Sequence, residues 1–198
     1  MKNLNDLAQQ IHENAKANGF WDEARNTGEV FMLIVSELSE ALEADRKGKR
    51  ASIVNFTSAL GGLHVDQYND GYIRFVFEMY IKDTFEDELA DVVIRILDWC
   101  HVEGLKADIL LYESQGDFDL GTDVNIGWVL FEMTKWVCKA HMDRVVSQEA
   151  CLNAVLILAK NLSIHLSFDL MRHIELKMKY NATRERLHGK KYDLQKKS

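Results

Sequence analysis

Thr27-Gly-Glu-Val-Phe-Met-Leu-Ile-Val-Ser-Glu37-Leu-Ser-Glu40-Ala-Leu-Glu-Ala-Asp-Arg-Lys47 is the stretch whose reading decides the fold. Its apolar residues recur at helical spacing. At about 100° per residue, Phe31, Ile34, Val35, Leu38 and Leu42 form one wide stripe. Glu37 and Glu40 lie beside that stripe, near Leu33, Ala41 and Ala44, whereas Glu43 and Lys47 point to solvent. Gly48 ends the helix. A second acidic motif, Glu88-Leu-Ala-Asp91, opens the apolar run Leu89–Trp99 and shares a face with Val92 and Trp99, which Arg95 and Asp98 extend.

Each motif sets two carboxylates three residues apart on one helix face. One such pair is ordinary on a solvated helix. Two pairs bordering apolar stripes are costly to bury unless something neutralises them, and a divalent ion does so. All-oxygen ligation selects Mg²⁺, with Mn²⁺ as the alternative, over zinc. The residues therefore point to a Mg²⁺-dependent enzyme acting on a phosphorylated substrate.

Composition agrees with a helical, soluble chain. The 198 residues include no proline, the strongest helix breaker, and 47% are apolar. No run reaches the roughly 20 apolar residues needed to span a bilayer, and the polar N-terminus lacks the apolar centre of a signal peptide. Cys100, Cys138 and Cys151 are odd in number and read as buried free thiols in a reducing cytoplasm. The net charge of −7 is unevenly spread: from Arg172 onward nine basic residues face three acidic ones, so the body is strongly acidic.

Six main helices are expected, over about Asn3–Asn18, Thr27–Lys47, Ile73 or Thr84 to Val102, Asp123–Met142, Ser147–Asn161 and Ser167–Leu187. Lys49–Tyr72, broken by Gly61, Gly62 and Gly71, reads as an insertion or connection, and Ser114–Asp123 as a polar loop. A degenerate internal repeat is a further reading. Asn26-Thr-Gly28-Glu-Val30 recurs as Asn125-Ile-Gly127-Trp-Val129, and in the second copy Trp136, Lys139, Ala150 and Asn153 replace the four acids.

Other metal and nucleotide chemistries lack their residues. A di-iron bundle needs Glu-x-x-His on two helices, and only Glu185-Arg-Leu-His188 occurs. Zinc spacing and glycine-rich phosphate loops are missing. His64, His101, His141, His165 and His173 read as structural or exposed, and Trp128 and Trp136 as core or interface.

The pattern resembles the all-α NTP pyrophosphohydrolases, the MazG-like superfamily that includes the dimeric dUTPases and dCTP pyrophosphatases. Residues 19–48, 84–100 and 167–192 resemble its three core motifs within a single domain spanning 1–198. About 101–160 is a helical insertion, read as either a fused second half or a substrate lid. The resemblance implies cleavage of a nucleoside triphosphate to the monophosphate and pyrophosphate, in nucleotide-pool control. Glu37, Glu40, Glu88 and Asp91 would hold Mg²⁺, with Glu37 or Glu40 acting on the attacking water. Lys177, Asn181 and Arg184 match the closing motif and would bind the phosphates or sugar. Trp21 and Arg25 would stack on the base or reach a phosphate. A homodimer or homotetramer is implied, because family sites are completed across subunits. Two rivals stand beside this reading: an inactive helical binding module with an acidic face and basic tail, and a nucleic-acid binder using that tail. The acidic body argues against the second.

Overall fold

A computed structural model describes residues 3–61, 67–108, 120–121, 123–143 and 145–185. Eight α-helices and no strands occur among them: α1 (Leu4–Ala17), α2 (Thr27–Arg46), α3 (Ile53–Ala59), α4 (Asp70–Tyr80), α5 (Phe85–Glu103), α6 (Ile126–Met142), α7 (Gln148–His165) and α8 (Leu170–Ala182). Most of the expected 114–123 loop, the tail beyond Glu185, and His64 lie outside the described residues. The all-α expectation holds, but two helices in the glycine-broken region were not foreseen. They are α3, within the segment read as a connection, and α4, which ends at Tyr80 instead of running into α5. The break falls at Asp83, whose backbone is left-handed (φ 58°).

The helix starts follow from local chemistry. The Asn26 side chain accepts from the Gly28 N–H at α2, Thr84 from Asp87 at α5, Asn125 from Trp128 at α6, and Ser147 from Ala150 at α7. Gly104 closes α5 in the left-handed conformation that glycine adopts without a Cβ penalty. The last helix is shorter than expected because Asp169 caps it and Ser167 turns left-handed before it.

Helix α5 is the hub, packed against α1, α2, α7 and α8. Helices α2 and α5 form one pair, α6 and α7 a second, and the pairs meet mainly through α2 and α6. A large core, including Ile34, Leu38, Leu89, Ile96, Met133, Leu152 and Leu156, fills the space between them. A second core joins α3 and α4 to the far side of α8, where Phe77 stacks on Tyr180 with ring centroids 4.4 Å apart. Helix α8 therefore belongs to both cores, with Ile174 in one and Leu176 and Tyr180 in the other.

Three expectations about individual residues are corrected. Leu42, placed on the apolar stripe of α2, is 36% exposed, and the buried face runs through Ala41 and Ala44 instead. Cys138 is exposed, while Cys100 and Cys151 are buried free thiols. Of the two readings given to Trp128, core and interface, the core one fails: it is 61% exposed beside exposed Phe131 on α6, whereas Trp136 packs against the core. No single helix among the described residues is long and apolar enough to cross a membrane.

Met133 is fully buried in the α6–α7 half of the core. Met133→Ala should lower stability by about 2–5 kcal/mol, read from urea unfolding, with the native helical circular-dichroism signal kept at low denaturant.

Candidate metal centre

The first turn of α5 buries an unusual set of acids. Glu86, Asp87 and Glu88 are all buried there, at the N-terminal end of the helix, where the macrodipole favours negative charge. Each has a separate task. Glu86 Oε2 accepts from the Ala51 N–H at 2.8 Å and ties the approach to α3. Asp87 Oδ2 accepts from the Asp83 N–H at 3.1 Å, a reciprocal partner to the Thr84 cap. Glu88 turns toward α2. There, one oxygen from each of Glu37, Glu40 and Glu88 lies within 4.8 Å of the others. Glu37 and Glu88 are buried and Glu40 is exposed, so the group opens to solvent on one side.

Electrostatics around the trio are strained. Burial pushes the Glu88 carboxyl up to about 8, with the Asp87 charge adding to the effect. Burial also raises Glu37, although the Arg95 guanidinium beside it opposes the shift. Arg95 Nε donates to Glu37 Oε1 at 2.6 Å, and its Nη2 lies 2.5 Å from the same oxygen as an ion pair. The trio can hold a metal ion, and its all-oxygen donor set suits Mg²⁺ or Mn²⁺.

Asp91 stands apart from the trio. Its Oδ2 pairs with Lys177 Nζ at 2.7 Å, and the same ammonium reaches Asp87 Oδ2 at 2.9 Å. Burial works against the Lys177 charge, but the Asp91 and Asp87 carboxylates outweigh it and hold the ammonium protonated above the ordinary lysine range. Lys177, expected to bind phosphate, is thus a buried counter-ion of two α5 carboxylates.

A cleft of about 380 Å³ connects these groups, a size typical of small-molecule sites. Its wall brings together Glu37, Glu40, Glu88, Asp91, Lys177, Asn181, Arg184 and Arg25, eight of the nine residues singled out in the sequence. Trp21 is the exception. Its indole N–H donates to both Asp98 oxygens, at 3.1 and 2.9 Å, and its ring stacks near Trp99, so it serves the packing. Asn181 Oδ1 is buried without a hydrogen-bond partner at this wall. Arg184 lies over the Tyr180 ring and Arg25 over Phe20. Among the described residues, none from 101–160 lines this cleft.

Asp87 and Lys82 were not singled out from the sequence, and Arg95 was placed on the right helix face without a role. Thr84-x-x-Asp87 is a legible capping signal, but Asp87's pairing with Lys177, 90 positions away, is not local information. Comparison with protein families, curated proteins and solved structures found no match to this chain.

Two outcomes follow from the charges. Between the ordinary carboxyl range and about 8, the folded chain keeps Glu88 protonated while the unfolded chain ionises it. The folded state then binds more protons, so stability of the metal-free protein falls as pH rises from 6.5 to 8. Glu88→Gln should flatten that fall in Tm, and Mg²⁺ should raise the wild-type Tm more at pH 8 than at pH 6.5. Lys177→Met strands two carboxylates and should cost about 3–5 kcal/mol in urea unfolding.

Proposed function

We propose that this chain is a Mg²⁺-dependent nucleoside triphosphate pyrophosphohydrolase of the MazG-like all-α type, producing a (d)NMP and pyrophosphate. The observation that carries the reading is the convergence of Glu37, Glu40 and Glu88 within 4.8 Å, from the two helices that bear the acidic motifs. Two further features support it. The cleft wall adds Arg25, Arg184 and Lys82, cations suited to a polyphosphate. The closing motif supplies Asn181 and Arg184 to the same cleft.

The residues divide the work. Glu37, Glu40 and Glu88 would hold the ion, which when bound lowers the pKa of a coordinated water and offsets charge on the phosphates. Glu40, the exposed member of the trio, would take a proton from the attacking water. Arg95 fixes Glu37 in one orientation through a hydrogen bond from Nε and the ion pair it makes with the same oxygen. Arg184 and Arg25 would grip the phosphate chain, and the Asn181 amide would meet the sugar or a phosphate oxygen. Phosphoryl chemistry needs little more than such positioning and charge. The setting is the cytoplasm, and the role is control of the nucleotide pool. The enzyme would work as a homodimer or homotetramer, and the exposed Trp128 and Phe131 on α6 are consistent with a covered face.

Chromatography of products from each common NTP and dNTP, with and without Mg²⁺, tests the reading. Monophosphate plus pyrophosphate appearing only with metal supports it. Diphosphate plus orthophosphate, or no product from any nucleotide, contradicts it. Glu40→Gln should lower turnover at least about a hundredfold, in line with the loss of a general base, while the far-ultraviolet circular-dichroism spectrum stays unchanged.

A further inference from the structure

We propose that the outer face of α6 is the contact through which two copies of this chain pair, antiparallel, about a two-fold axis. The inference deepens the oligomer of the preceding reading and rests on that part of it; it makes no use of the metal centre. Helix α6 has two apolar faces. Val129, Leu130, Met133, Val137 and Ala140 are buried against the core. On the opposite side Trp128, Phe131, Lys135, Cys138 and Met142 follow one another at alternating steps of three and four, and all five are exposed. Trp128 is 61% exposed, Phe131 53% and Met142 74%. The outward face of a surface helix is ordinarily charged or polar. Here it carries the heptad spacing by which one helix packs on another, with Lys135 as the one charged residue in the seam.

What fits this face is a second copy of it, because its two ends are complementary. At the start of α6 a recess of about 550 Å³ is lined by Asn125, Gly127, Trp128 and Phe131, and Gly127 has no side chain to fill it. At the far end Met142 and, just past the helix, Val145 (94% exposed) are open to solvent. A copy running the other way brings the Met142 and Val145 of each chain to the recess of the other. In that register Trp128 meets the partner's Val145, Phe131 the partner's Met142, and Lys135 the partner's Cys138. A shift that set Lys135 against its own copy would oppose two ammonium groups, which disfavours the neighbouring register. Charge agrees with the pairing. Glu132 and Lys139 flank the same edge of the stripe, so the antiparallel pair brings each Glu132 near the partner's Lys139. Their contacts within one chain, Lys135 for Glu132 and Asp143 for Lys139, are surface helix ion pairs, which are weak and readily exchanged. The chain as a whole has a net charge of −7, whereas α6 holds two lysines against one glutamate. An acidic chain thus meets its copy where repulsion is least.

Sedimentation equilibrium of the full chain tests this. The wild-type protein should be a dimer at micromolar concentration, or a tetramer that Phe131→Glu reduces to dimers. Phe131→Glu should raise the dissociation constant of this contact at least about thirtyfold, the size of an aromatic hot spot. Its far-ultraviolet circular-dichroism spectrum should stay unchanged, because Phe131 lies outside both apolar cores. Glu132→Lys and Lys139→Glu should each weaken the contact several-fold, and the double variant should restore it. A wild-type oligomer that Phe131→Glu leaves intact, or a double variant as weak as the single ones, would overturn the proposal and leave the oligomer reading standing. A wild-type protein that stays monomeric at the highest soluble concentration would overturn both, while the product assay still decides the chemistry.

Discussion

Burial of carboxylates at the start of α5 is the constraint on which the rest of the molecule depends. Glu86, Asp87 and Glu88 sit in one buried helical turn, with Asp91 one turn further on. The N-terminal end of a helix favours each acid by only about 0.3–1 kcal/mol. Taking an ion out of water costs several kcal/mol. The helix end alone cannot carry this load, and each acid has a separate remedy. A backbone N–H serves Glu86, the Lys177 ammonium serves Asp87 and Asp91, and burial pushes the Glu88 carboxyl up toward its neutral form.

That distribution explains the architecture around it. Helix α5 must touch α2, which brings Glu37 and Glu40, and α8, which brings Lys177; it packs against both. Helix α8 is anchored on one side by the main core and on the other by the small core built with α3 and α4. The α3–α4 unit thus fixes the helix that carries the counter-ion, and its α4–α5 turn adds Lys82 and Asp83 to the cleft wall. The α6–α7 pair supplies apolar bulk behind α2 and α5 and stays out of the cleft.

Much of this was legible in the sequence, where the information was local. Helical period fixed α2 and the acidic faces of α2 and α5, and the expected helix starts near Thr27, Thr84 and Ser147 lie at the side-chain caps Asn26, Thr84 and Ser147. The convergence of Glu37, Glu40 and Glu88 followed from placing both acidic pairs at the core border. What was not legible depended on contacts between distant segments. Helices α3 and α4 hide in a glycine-broken stretch because their apolar residues pack on α8 and not on the main core. Lys177 reads as a phosphate- or sugar-binding residue of the closing motif, and its pairing with Asp87 and Asp91 shows only once α8 is laid against α5. Trp21 reads as a stacking platform until Asp98 takes its indole N–H. Asp91 matches its motif partner Glu88 in spacing, yet the fold gives it a lysine instead of a place in the trio.

The most direct test of the account is a crystal structure of the protein grown with Mn²⁺, read from the anomalous signal of the metal. The account predicts a peak bounded by Glu37, Glu40 and Glu88 oxygens at about 2.1 Å, the range of a small hard divalent ion. No peak between α2 and the start of α5 at saturating Mn²⁺ would contradict it.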